Sequence, residues 1–436
     1  MHELESRTIK PAKSLRGKFV VPGDKSISHR AIMFASLAQG ESRISGLLRG
    51  EDCLSTLKAF QNLGVEVVEK ADDELIIHGR GLDGLQEPTD VVDCGNSGTT
   101  MRLMSGLLSA QPYFSILTGD QYLRKRPMGR VINPLTAMGA KILGRDGNSK
   151  APLAIDGGGL HPEDYHSPIA SAQVKSALLL AGMQIEGTTT VYEPHLSRDH
   201  SERMLRFFGA DLESFSGGAR VTGRAQLEGR DVEVPGDISS AAFFLVAGLI
   251  VPNSELLLKN VGVNPTRIGV IDILQQMGGS IQLTNQRELS GEPVADLLVK
   301  SSDLRGIEIG GDLIPRAIDE FPVISVAAAF AEGVTTIRDA RELRVKETDR
   351  IAAMCDCLGS LGAQIDPLDD GMRIVGGKLL RGGEVNSFGD HRIAMSMSIA
   401  ALAAAGETKI LDTACTETSF PKFWELLSLI SEGRAF

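Results

Sequence analysis

A chain of 436 residues is longer than one ordinary hydrophobic core sustains, so two domains are expected. Its 42% hydrophobic and 23% charged residues are globular proportions, which exclude a fibre or a disordered chain. A formal net charge of −11 repels nucleic acid and anionic membrane surfaces, so neither is expected as a partner.

The polar, acidic start Met1-His2-Glu3-Leu4-Glu5 is unlike a secretory or transit leader. The longest apolar run, Ile238 to Val251, falls short of the roughly 20 residues that span a bilayer. A cytoplasmic address follows from these two readings, and five scattered cysteines, an odd number, read as reduced thiols. Cys355 and Cys357 have no nearby Cys pair or His to complete a metal site, so no metal is expected.

Taken in chain order, the elements repeat at intervals of about 70 to 80 residues. The first unit opens near Ser26 with a helix apolar on nearly every face, which stops at Leu37-Ala38-Gln39-Gly40 before a strand at Ser42-Arg43-Ile44. An amphipathic helix follows, with Leu54, Leu57, Phe60 and Leu63 on one side, and closes at Gly64. Similar all-apolar helices begin near Ser97, Ser171, Ser239, Phe321 and His391. Strands at Thr188-Thr189-Thr190-Val191, Thr335-Thr336-Ile337 and Thr408-Lys409-Ile410-Leu411 come after the third, fifth and sixth of them. A helix apolar all round belongs inside a core, so each unit buries one central helix under strands and one outer helix.

The expected fold is therefore α/β, with six units shared equally by two similar domains. The sixth unit lacks a closing strand pair after the helix Phe420 to Ile430, and the N-terminal pieces Thr8-Ile9-Lys10 and Lys18-Phe19-Val20-Val21 are free to fill it. This assigns residues 1–22 plus 237–436 to a discontinuous domain and residues 23–236 to an inserted one. The echo of Val21-Pro22-Gly23-Asp24 in Val234-Pro235-Gly236-Asp237 marks two crossings, which together predict a hinge.

The central helices open on charged motifs rather than ordinary caps: Gly23-Asp24-Lys25-Ser26-Ile27-Ser28-His29-Arg30, Gly95-Asn96-Ser97-Gly98-Thr99-Thr100-Met101-Arg102, Ser171-Ala172-Gln173-Val174-Lys175 and Gly389-Asp390-His391-Arg392. Cations at a helix N-terminus oppose the macrodipole unless an anion lies between them. Arg124-Lys125-Arg126, Arg198 and Arg344 to Arg350 repeat the anomaly before outer helices. Singly, each is more often a surface charge. Convergence of equivalent helix ends would instead build a cation-lined cleft for small, multiply charged anions. Among these cations stand two acids: Asp319 reads as a helix cap or a base, and Glu347 as a helix-start acid or a base. His29, His200 and His391 are expected to hydrogen-bond locally, kept neutral by the surrounding cations.

Nine motifs in order resemble the 5-enolpyruvylshikimate-3-phosphate synthases: GDKSISHRA, GNSGTTMR, LRKRPM, SAQVKSALLLAG, SRDHSERML, IDEFPVISVAAA, RVKETDRI, GDHRIAMS and SFPKF. The resemblance implies a two-domain inside-out α/β barrel of six βαβαββ units, three per domain. It implies a monomeric, cofactor-independent and metal-free enzyme of the shikimate pathway of aromatic amino acid biosynthesis. Its substrates would be phosphoenolpyruvate and shikimate 3-phosphate.

Carried onto these positions, Lys25, Ser26, Arg30, Ser171, Ala172, Gln173, Arg198, Asp319 and Lys346 would hold shikimate 3-phosphate. Lys25, Gly98, Arg126, Gln173, Arg350 and Arg392 would hold phosphoenolpyruvate. Lys25, Asp319 and Glu347 would be catalytic, Asp319 as base for the 5-hydroxyl and Glu347 as proton carrier at C3. The family's herbicide glyphosate would share the phosphoenolpyruvate site beside Gly98. Many members carry Lys just before the final Phe-Pro; Thr418 stands there instead. The rival readings are a UDP-N-acetylglucosamine enolpyruvyl transferase, which needs a loop cysteine, and a catalytically silent phospho-ligand-binding protein, which would not need acids among the cations.

Overall fold

A computed structural model describes residues 5–71, 73–432 and 435; of the N-terminal stretch read as no leader, residues 1–4 lie outside it. The six central helices are Lys25–Leu37, Gly98–Ala110, Ala172–Gly182, Ile238–Ile250, Phe321–Phe330 and His391–Leu402, each buried on nearly every face. Several of their serines enter the core by bonding back to the preceding turn. Ser36 Oγ donates to the Ile32 carbonyl at 2.7 Å, Ser105 to Met101 at 2.8 Å and Ser398 to Ala394 at 2.8 Å. A satisfied hydroxyl is tolerated where an unsatisfied one would be costly.

Every central helix is followed by a strand that pairs into one sheet. In the second unit, Phe114–Thr118 pairs in parallel with Val92–Asp93 and antiparallel with Lys150–Asp156, which pairs antiparallel with Lys141–Gly144. The third unit repeats this with Asp164–His166, Thr188–Tyr192, Gly218–Thr222 and Leu212–Phe215. The fifth does so with Glu308–Ile309, Val334–Ile337, Gly371–Val375 and Gln364–Leu368.

The terminal segment corrects one expectation. Ser6–Ile9 does complete the sixth sheet, antiparallel to Thr408–Leu411. Arg16–Val20 does not; it joins the fourth sheet in parallel with Glu255–Gly262. The first sheet takes its parallel edge from Val232–Glu233, beside Gln39–Ser45. Alternating hydrophobicity marks a strand but not its partner, which is why the sequence pattern misplaces one of the two. The segments that end at Pro22 and Pro235 have thus exchanged sheets. The exchange is fastened on each side: the Asp24 amide donates to the Pro235 carbonyl at 2.8 Å, and the Asp237 amide to the Pro22 carbonyl at 2.8 Å. At Gly23 a Cβ would stand 1.9 Å from the Gly46 carbonyl oxygen, so the backbone approach admits only glycine.

The chain divides into two compact units. One comprises residues up to Pro22, Gly236–Arg287 and Pro293–Phe436; the other comprises Gly23–Pro235 with Glu288–Glu292, a short excursion that the repeat spacing does not reveal. Each has its own apolar core. In the discontinuous unit an aromatic cluster joins distant segments, with Phe19–Phe244 centroids 5.1 Å apart, Phe244–Phe420 5.9 Å and Phe420–Phe423 5.5 Å. Among the described residues no helix is long and apolar enough to cross a membrane.

Candidate active site

The helix starts are predicted to lack ordinary caps, and the structure corrects this. Asp24 accepts from the Ile27 amide, Ser97 from Thr100, Ser171 from Val174, Asp237 from Ser239 and Asp390 from Arg392. Capping side chains occupy one orphan amide each, so the cations stand beside conventionally closed helix ends.

In the inserted unit these ends are stitched together by side chains. Lys25 Nζ lies 3.2 Å from Asp52 Oδ2 and remains partly open to solvent. Arg30 is buried and spends its donors on Ser201 Oγ (2.7 Å), the Ser26 carbonyl (3.0 Å) and Ser176 Oγ (2.9 Å). Burial lowers the Arg30 pKa to about 10, against the pull of Glu202, Asp24 and Glu292, and the neighbouring Arg198 lowers it further. It is charged at neutral pH, and the shift reflects chiefly the burial of the guanidinium, with Arg198 the smallest contribution.

Gln173 bridges the next two helices, donating to Thr99 Oγ1 at 3.0 Å and accepting from Arg102 Nη1 at 2.7 Å. Arg126 donates to Asn96 Oδ1 at 2.8 Å, and Asn96 donates to Asp120 Oδ2 at 2.7 Å. Gly98 opens the Gly98–Ala110 helix, where a Cβ would meet Arg102 Nη1 at 2.9 Å and Arg126 Nη1 at 3.4 Å. The glycine thus leaves two guanidinium groups converging over a helix N-terminus, a donor array suited to an oxyanion. Ser171 and Ala172 form the start of the third central helix, with the Ser171 amide 3.2 Å from Glu193 Oε1.

Of the three cations before Pro127, Arg126 reaches Asn96, whereas Arg124 bonds the Asp120 carbonyl (3.3 Å) and Lys125 lies over Tyr122 (5.9 Å). Arg344 likewise is tied to Asp349 (2.7 Å) and the Leu368 carbonyl (2.6 Å), a structural use.

In the discontinuous unit the centre is Asp319. Its Oδ1 lies 3.3 Å from Lys346 Nζ and 3.8 Å from Arg350 Nη1, and its Oδ2 lies 3.8 Å from Arg267 Nη1. It is not a cap, since the Phe321–Phe330 helix has Glu320 at that position. Glu347 is not a helix-start acid either, because Asp349 caps the Arg350–Ser360 helix. Its Oε2 instead accepts from Arg350 Nη2 at 2.7 Å, and its side chain stays 34% exposed. Arg350 is buried, and its Nε reaches Asp390 Oδ2 at 2.8 Å. Arg392 Nη1 stands 3.8 Å from Glu320 Oε1, which also accepts from Ser239 Oγ.

Arg267 is the cation that sequence patterns miss. It is buried, donates to Ser239 Oγ at 2.7 Å and approaches Asp237, Asp319 and Glu320. It follows Asn264-Pro265-Thr266, an ordinary turn signal away from any central-helix start, and only three-dimensional proximity to Asp319 singles it out.

Two of the three histidines form side-chain hydrogen bonds within the inserted unit, His29 Nδ1 with Thr56 Oγ1 at 2.6 Å and His200 Nδ1 with Glu292 Oε1 at 2.7 Å. The cause of neutrality differs for His29. Burial is the main force lowering its pKa to about 3; Asp52 opposes it, and the cations Lys25 and Arg30 contribute less. Thr418 lies at the end of the short Thr413–Thr418 turn, half-buried. Among the described residues no three His, Cys, Asp or Glu side chains cluster as a metal site requires.

A family model described as EPSP synthase (3-phosphoshikimate 1-carboxyvinyltransferase) matches residues 9–427. A 3-phosphoshikimate 1-carboxyvinyltransferase of Syntrophotalea carbinolica is 65% identical over 428 residues, 98% of this chain and 99% of that protein. One of Geotalea uraniireducens is 64% identical over 427 residues, again 98% and 99%. A solved EPSP synthase from Acinetobacter baumannii superposes with a TM-score of 0.90 at 47% identity, covering 98% of both chains. The enolpyruvyl transferase NikO from Streptomyces tendae has a TM-score of 0.79 at 18% identity over 98% of both, a likeness of fold alone.

Proposed function

The chain belongs to the EPSP synthase family, and from that premise we propose that it transfers the enolpyruvyl group of phosphoenolpyruvate to the 5-hydroxyl of shikimate 3-phosphate, releasing phosphate, in the shikimate pathway. The observation that carries this is the 65% identity to a 3-phosphoshikimate 1-carboxyvinyltransferase over 98% of the chain.

In this scheme Lys25, Ser26, Arg30, Ser171, Ala172, Gln173, Arg198, Asp319 and Lys346 hold shikimate 3-phosphate. Lys25, Gly98, Arg126, Gln173, Arg350 and Arg392 hold phosphoenolpyruvate. Asp319 takes the proton of the 5-hydroxyl as its oxygen bonds to C2 of phosphoenolpyruvate, and Glu347 delivers a proton to C3. The tetrahedral adduct then returns the C3 proton to Glu347 while the bond between C2 and the phosphate oxygen breaks, and the departing phosphate takes up the proton held by Asp319. An enol ether and inorganic phosphate remain. Cations fixed in advance orient both anions and stabilise the departing phosphate without reorganising.

The Asp319 environment supports its place in the site: both carboxylate oxygens face cations, Lys346 and Arg350 on one and Arg267 on the other. The convergence of Arg102 and Arg126 over Gly98 supports an oxyanion there. The scheme includes a monomer that works in the cytoplasm without a cofactor, which the odd cysteine count suits as a chain of reduced thiols.

The test is phosphate release by the pure protein given shikimate 3-phosphate and phosphoenolpyruvate. Release dependent on both substrates is expected; none would overturn the activity. For the site, Arg126→Ala should weaken phosphoenolpyruvate more than shikimate 3-phosphate in titration calorimetry, and equal weakening would overturn that assignment.

A further inference from the structure

The deepest charge cluster of the inserted unit has no part in the scheme above. Lys175 lies within the Ala172–Gly182 helix with its side chain 1% exposed, and its Nζ is 2.7 Å from Glu193 Oε2 and 2.7 Å from Glu202 Oε1. Both carboxylates are as deeply buried. Burial alone would lower the lysine pKa, but the two carboxylates outweigh it and keep the ammonium charged; burial raises that of Glu202 against the pull of Lys175.

Stability is a weak reason to keep such a triad, since apolar residues of similar volume are often as stable or more so. Its remaining contacts supply a better reason. Glu193 Oε1 accepts the Ser171 amide at 3.2 Å, and Oε2 lies 3.5 Å from the amide of Ser197, the residue before Arg198. Glu202 follows Ser201, and Lys175 precedes Ser176. The hydroxyls of Ser176 and Ser201 bond each other at 2.6 Å and accept Arg30 Nη2 at 2.9 Å and Nε at 2.7 Å. Glu202 also acts on Arg30 through space, favouring its charged form.

We propose that the Lys175–Glu193–Glu202 triad is a positioning device for shikimate 3-phosphate, fixing the Ser171 turn, the Ser197–Arg198 turn and the Arg30 guanidinium in one geometry. One ammonium shared by two carboxylates sets the separation of the segments on which those carboxylates sit. None of the three is among the residues assigned to substrate above. The inference rests on the substrate assignment above.

Lys175→Met alone strands two buried carboxylates and endangers folding, so the informative variant replaces the whole triad, Lys175→Met with Glu193→Leu and Glu202→Met. It should unfold no more easily than the wild type, while KM for shikimate 3-phosphate rises about tenfold to a hundredfold and KM for phosphoenolpyruvate moves far less. An unmoved KM for shikimate 3-phosphate, or an equal rise for both substrates, overturns the proposal. If the triple variant does not fold, Glu193→Gln decides: it keeps the shape and one charge pair and should show the same selective rise on a smaller scale, and no rise overturns the proposal. A wild type that releases no phosphate would instead strike the underlying activity.

Discussion

Arg350 and Asp390 are joined inside the discontinuous unit by a 2.8 Å contact from Nε to Oδ2, with the Asp390 side chain fully enclosed. Burial pushes the Asp390 pKa up, but the Arg350 guanidinium outweighs it and holds the carboxyl below its usual range. For Arg350, burial works downward and Asp390 and Glu347 work upward, with the anions prevailing.

Asp390→Asn keeps a helix-capping side chain but removes the fully buried anion of Arg350 while Glu347 stays in contact, at a cost of up to about 3 kcal/mol. A lower denaturant midpoint for this unit's transition checks it. The sign with pH follows from the depressed carboxyl. Its contribution is present above the unfolded carboxylate pKa of about 4 and is lost as pH falls through the folded value. Wild type and variant should therefore converge in stability at strongly acid pH; a constant gap would contradict the pairing.

Glu347→Gln should bind both substrates and turn them over slowly. The amide can still accept from Arg350 Nη2, so the local geometry survives while the proton carrier is gone. A kcat reduced about a hundredfold to ten-thousandfold, with calorimetric affinities little changed, is the expected outcome. Unchanged kcat removes Glu347 from proton transfer.

Gly98→Ala should fold, because the added methyl meets the ends of two flexible arginines rather than backbone. Displacing Arg102 and Arg126 should weaken one or two charge-assisted hydrogen bonds, each about 1.5 to 3 kcal/mol. Steady-state kinetics should show KM for phosphoenolpyruvate raised about tenfold to a hundredfold, with unfolding little changed.

His29 makes the inserted unit sensitive to mild acid. Its folded pKa of about 3 lies below the unfolded value of 6.5, so the unfolded chain takes up the proton first. The associated stability is whole above pH 6.5 and drains as pH falls towards 3, by up to about 1.4 kcal/mol per pH unit. His29→Asn should flatten that slope in denaturant titrations at pH 4 to 7, whatever it does to stability at neutral pH.

The six central helices were legible because all-round apolarity has few structural meanings, and each begins within one residue of its expected place. Lys25, Arg126 and Asp319 stand out as candidates because charge near a helix start is conspicuous. Arg267 and Glu193 do not, since one follows an ordinary turn and the other comes just after the Thr188–Tyr192 strand, and what distinguishes them is who lies across from them. The same limit hid the partner of Arg16–Val20: periodicity reports which face of a strand is buried, never which neighbour buries it.

The exchange of Arg16–Val20 and Val232–Glu233 between sheets frees the order of the polypeptide from the order of the architecture. Because Asp24 and Pro235 touch, the inserted stretch begins and ends at one point and can be excised or circularly permuted without parting any strand from its neighbour. Pro22 and Asp237 meet in the same way, so the remainder can be resealed across the gap. Two separately made polypeptides would each carry a core of its own.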